Sequence, residues 1–96
     1  MTIKEFAQAI FADENFKNTM SALYDRWRDE EGYEDINEYG KVLHNAINKV
    51  VPCEYVSATK RPFGVWVKYQ GTDVHFNAKL KGCYLMFGAN LRKPKK

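Results

Sequence analysis

Ninety-six residues, 45% hydrophobic and 28% charged, suffice for one domain with one small core and leave no room for a deep enclosed cavity. An aromatic share of 15% argues against disorder, because aromatic side chains bury large areas and can offset chain entropy. The net charge of +3 hides a split: residues 1–51 carry six Lys/Arg against ten Asp/Glu, a net −4, and residues 52–96 carry nine against two, a net +7. An acidic front is thus joined to a basic back, which bears on partners rather than on fold. No run approaches the roughly 18 apolar residues of a membrane span, and Glu5 stands where a secretory leader needs a basic start and an apolar run. The expectation is a cytoplasmic protein with no membrane partner.

Thr2 and Glu5 form a capping box, so the first helix should begin there. Ile3, Phe6, Ala7, Ile10 and Phe11 make its apolar face, and it should end near Ala12. Asp13 is the expected cap of the second helix, whose stripe is Phe16, Met20, Leu23, Tyr24 and Trp27. Gly32 should terminate it after Glu30. Asp35 should cap the third, with Ile36, Tyr39, Leu43, Ala46, Ile47 and Val50 in its stripe. Gly40 within it costs about 1 kcal/mol relative to alanine and marks a place where another backbone can approach. Pro52 ends the helical part, residues 2–51.

From Cys53 the apolar period becomes two, and the β part is expected over residues 53–88. Cys53–Ala58 reads as the first strand and Thr59–Pro62 as a turn. Phe63–Gln70 and Asp73–Lys81 read as a hairpin closed by Gly71-Thr72 in a type II′ turn. That register pairs Tyr69 with Val74, Val67 with Phe76, Val65 with Ala78 and Phe63 with Leu80 on an apolar face. Lys68 then meets His75, Trp66 meets Asn77 and Gly64 meets Lys79 on the other. A last strand is expected over Cys83–Phe87, followed by a frayed basic tail over residues 91–96. The fold class is α+β: a single domain, residues 1–96, with three N-terminal helices on one face of a three- to four-stranded antiparallel sheet.

The free face of the hairpin is the first candidate site. It should present Trp66, Lys68, His75, Asn77 and Lys79, with Lys60, Arg61 and Lys81 at the strand ends. An aromatic ring among ammonium groups suits single-stranded DNA or RNA, since the ring stacks on a base while lysine neutralises phosphate. Lysine reads bases poorly, so weak sequence preference is expected. An ordinary solvated sheet face, or a protein-binding one, accounts for the same pattern. The second candidate is the acidic pole, in which Asp29, Glu30, Glu31, Tyr33 and Glu34 would dock on a basic partner around an aromatic anchor. Solvated helix ends explain it equally.

Chemistry is harder to find. His44, His75, Cys53 and Cys83 are the usual nucleophile and base types, but nothing in the spacing pairs them with an orienting group. There is no CxxC, no phosphate-cradling glycine motif, and no calcium loop, because Trp27 occupies the position an acid would need. The third helix makes a poor DNA recognition helix, its free side carrying Glu34 and Glu38. Free thiols are expected for Cys53 and Cys83 in a reducing compartment. The sequence therefore implies a non-enzymatic protein without metal or cofactor. It binds nucleic acid, or alternatively acts as an interaction or inhibitor protein on a macromolecule, and is a monomer or weak homodimer.

Overall fold

A computed structural model describes residues 1–29, 36–60, 63–81 and 84–92. Three helices, α1 (Ile3–Ala12), α2 (Glu14–Asp29) and α3 (Ile36–Val50), precede four strands, β1 (Glu54–Lys60), β2 (Phe63–Tyr69), β3 (Thr72–Lys81) and β4 (Tyr84–Arg92). The strands form one antiparallel sheet in the order β1-β2-β3-β4. The α+β arrangement expected from the sequence is the one observed. Among the described residues, no helix is long and apolar enough to cross a membrane.

The helix boundaries follow from local chemistry. Thr2 Oγ1 accepts from the Glu5 amide at 3.1 Å, and Glu5 Oε1 accepts from the Thr2 amide at 2.8 Å, closing the capping box. These bonds hold the Glu5 carboxyl below its ordinary pKa. Asp13 ends α1 and starts α2: its amide donates to the Ile10 carbonyl, and its Oδ2 accepts from the Phe16 amide at 2.8 Å. Beyond α3, Asn48 Oδ1 accepts from the Cys53 amide at 3.0 Å, and His44 Nε2 lies 2.8 Å from the Cys53 carbonyl oxygen. The chain is thereby held as it turns into the sheet. The Asp35 cap and the Gly32 stop lie outside the described residues.

The core lies between the helices and one face of β1–β3. Phe63, Val65 and Val67 of β2 and Val74, Phe76 and Ala78 of β3 are buried beneath Phe6, Ile10, Phe16, Met20, Tyr39, Leu43 and Ile47. Two aromatic clusters organise it. Phe76 receives the edges of Phe6, Phe11 and Phe16, with centroids 5.4–5.8 Å away. Phe63 packs against Tyr24, Trp27 and Tyr39 at 4.5–5.6 Å. Gly40 provides the close approach expected of it, though to side chains rather than backbone. A Cβ there would lie 2.7 Å from Ala58 Cβ and 2.9 Å from the Tyr55 hydroxyl.

The hairpin register departs from expectation by two residues. Val67 pairs with Val74, Val65 with Phe76 and Phe63 with Ala78; on the other face Lys68 meets Asp73, Trp66 meets His75 and Gly64 meets Asn77. The turn is Gln70-Gly71, both with positive φ (50° and 78°), as in a type I′ turn rather than type II′. A shift of two preserves the division into faces, so the apolar row remains inside. The last strand also differs. β4 continues to Arg92, pairing Leu91 with Val74 and Arg92 with Asp73, so the first two residues assigned to a frayed tail belong to the sheet.

Tyr39 ties the layers together. Its ring is fully buried, and its hydroxyl donates to the Thr59 carbonyl on β1. Burial, with a smaller contribution from Tyr55, pushes its pKa up to about 12. The neutral phenol is the form the fold favours, so its contribution is complete below the unfolded value near 10 and is lost as pH rises through 12. Urea titrations at successive alkaline pH values should show stability falling across that window by at most roughly 3 kcal/mol. Tyr39→Phe should flatten the decline.

Candidate nucleic-acid interface

The face of the sheet turned away from the helices is set by register. It carries Glu54, Ser57 and Thr59 of β1, Gly64, Trp66 and Lys68 of β2, and Asp73, His75, Asn77, Lys79 and Lys81 of β3. β4 adds Met86, Gly88 and Asn90. No described helix packs over it. A β-bulge between Tyr55 and Ser57 brings Ser57 opposite Trp66 and Thr59 opposite Gly64.

At its centre is a polar cluster that sequence reasoning placed in water. His75 is 3% exposed, the one buried polar residue of the described chain. Its Nε2 lies 2.7 Å from Thr59 Oγ1, and its Nδ1 lies 3.1 Å from Asn77 Nδ2. Each ring nitrogen thus has a polar side-chain partner, one on β1 and one on β3. Trp66 lies against this ring, with centroids 4.7 Å apart and planes 34° apart. The expectation of an exposed His75 is thus corrected: the imidazole is buried beneath the indole and held at both nitrogens.

The cluster depends on Gly64. Thr59 and His75 sit on β1 and β3, and their bond reaches over the intervening β2. A Cβ at Gly64 would lie 2.1 Å from the Phe76 carbonyl oxygen and 2.9 Å from Asn77 Cα, both backbone atoms. The absent side chain permits both the close approach of β2 to β3 and the bridge above it.

Trp66 lies on the outer face as expected, but half-buried rather than fully in water. Its orientation is preset by the His75 stack. Lys68, Lys79 and Lys81 are exposed on the same face. Lys68 Nζ lies 3.8 Å from Asp73 Oδ1, and Glu54 stands across from Lys68, so two carboxylates outnumber one ammonium group beside the indole. The unbalanced ammonium groups are Lys79 and Lys81; Lys79, four residues from His75 on β3, lies about 13 Å along the strand. Lys60 pairs with the buried Phe63, which places it at the strand end on the helix side, apart from this group. Arg61 lies outside the described residues, as do Glu30, Glu31, Tyr33 and Glu34 of the acidic pole; Asp29 is the last residue of α2.

Sequence reasoning missed what β4 adds. Between Trp66–His75 and Lys79 is a shallow depression of about 340 Å³ lined by Asn77, Lys79, Met86, Phe87, Gly88 and Asn90. A Cβ on Gly88 would meet Asn77 Oδ1 at 3.1 Å, so the missing side chain helps keep the hollow open. The two amides supply donors and acceptors at its sides.

Burial pushes the Cys53 thiol up to about 11, which keeps it protonated at neutral pH. Among the described residues, no three His, Cys, Asp or Glu side chains gather as a metal site would require. No protein-family model matches this chain, and no curated protein or solved structure matches it significantly.

Thr59→Val keeps the side-chain shape but leaves the His75 Nε2 without its hydroxyl partner. It should lower the unfolding free energy by about 1–3 kcal/mol in urea titration, while Thr59→Ser retains most of the stability. Equal stability in all three proteins would contradict the role given to the bridge.

Proposed function

We propose that this protein binds single-stranded nucleic acid on the outer face of its sheet, without catalysing a reaction. The observation that carries the reading is an indole presented on a sheet face that no described helix covers, with exposed lysines on the same side. A ring already ordered by the His75 stack loses little conformational freedom when a base stacks against it. Such stacking contributes about 1–3 kcal/mol per base. A second base would lie in the neighbouring hollow, with Asn77 and Asn90 beside it to meet a base edge. Lys79 and Lys81 would then take the phosphates beyond it.

A second reading is a protein partner on the same face. It draws on the row Glu54, Lys68 and Asp73 beside Trp66, net negative, which disfavours a phosphate backbone and suits a mixed-charge protein surface. Recovery of partners from lysate with and without nuclease separates the two: loss after nuclease favours the first, persistence the second.

Binding of a labelled oligonucleotide, followed by anisotropy, should weaken about 10- to 100-fold in Trp66→Ala and much less in Trp66→Phe. With Lys79 and Lys81 engaged, the affinity should fall with a log–log salt slope of about −1.4 or steeper. Affinity unchanged by Trp66→Ala would remove the basis for the assignment.

A further inference from the structure

The two edges of the sheet are unequal. β1 is blunted by its bulge between Tyr55 and Ser57 and by Glu54 and Lys60 at its ends. β4 has no bulge, and its one charge is at its last residue, position 92. Its register with β3 runs unbroken from Lys81↔Tyr84 to Asp73↔Arg92, and no Asp, Glu, Lys, Arg or Pro occurs between Tyr84 and Leu91. β3 is its one strand neighbour among the described residues, so its other side presents unpaired backbone donors and acceptors along nine residues.

The side chains of this edge are apolar on the helix side. Leu85, Phe87, Ala89 and Leu91 pair with Leu80, Ala78, Phe76 and Val74, and so share the inner face. Yet Leu91 is 58% exposed and Leu80 is 40% exposed, because the helices are centred on β1–β3. Apolar side chains are thus left open to solvent at the end of β4, as Val56, 39% exposed, is on β1.

We propose that β4 is a docking edge for a second copy of this chain, joined by antiparallel β4–β4 pairing about a two-fold axis at Gly88. The strand is complementary to itself in that register. Leu85 comes opposite Leu91 of the second copy, and Phe87 opposite Ala89, which continues the inner apolar row across the junction. On the outer face Met86 meets Asn90, and Gly88 meets its own copy without a side chain at the axis. The one charged residue of the strand, at position 92, lies at the far end of the pair from its counterpart. No like charges therefore oppose one another. The product is a continuous eight-stranded sheet. A junction of one strand pair, about 30 Å long, is small, so the dimer is concentration-dependent. The inference does not rest on nucleic-acid binding.

Sedimentation of the full chain over roughly 10 μM to 1 mM tests it. The expected result is a mass rising from monomer to dimer, with the midpoint displaced at least tenfold upward in Leu91→Lys and little in Leu91→Met. Circular dichroism should show all three proteins folded. A mass that stays monomeric throughout overturns the proposal and leaves the edge to a strand from another protein. A dimer that Leu91→Lys leaves unchanged overturns it too, because it then forms through another surface.

Discussion

Six side chains in two adjacent strands, Phe63, Val65 and Val67 facing Ala78, Phe76 and Val74, are buried under the helices, and the rest of the structure depends on that contact. Each large side chain contributes about 1.5–3 kcal/mol when fully buried. The sheet has only two faces, so committing one to the helices leaves the other to whatever the alternate residues can build.

The outer face is not simply a polar surface in water. Imidazole, indole, hydroxyl and amide form a cluster in which every ring nitrogen of His75 has a partner, and Gly64 lets two non-adjacent strands share it. A buried polar group with its partners in place rigidifies the structure around it, whereas the same group without them is costly. The rigidity is useful to a binding surface, since a preset ring spends little entropy on its ligand. Electrostatics along the face is graded. It is negative beside Trp66, where Glu54 and Asp73 outnumber Lys68, and positive toward Lys79 and Lys81. In the proposed reading the phosphates of a bound strand lie toward Lys79 and Lys81.

Much of this was legible in the residues. The caps Thr2 and Asp13, the three apolar stripes and the break at Pro52 all act locally, and local chemistry decides them. The assignment of Trp66 and Val65 to opposite faces was also readable, because it follows from alternation alone. The hairpin register was not. Two registers differing by two residues bury the same side chains, and only the backbone of Gln70, willing to take positive φ before Gly71, separates them. The extent of β4 was readable but obscured by Gly88. Leu85, Phe87, Ala89 and Leu91 alternate as a strand should, and a glycine read as punctuation hid the second half. The burial of His75 had no signal in spacing, since its partner Thr59 reaches it from a strand two places away.

The account's central claim is that the face bearing Trp66 is the working surface. Mapping backbone and indole NMR shifts during titration with a short single-stranded oligonucleotide tests it most directly. The account predicts the largest changes at Trp66, Asn77, Lys79, Gly88 and Asn90, with the helix-facing residues nearly still. Changes confined to α1–α3, or none at oligonucleotide excess in low salt, would contradict it.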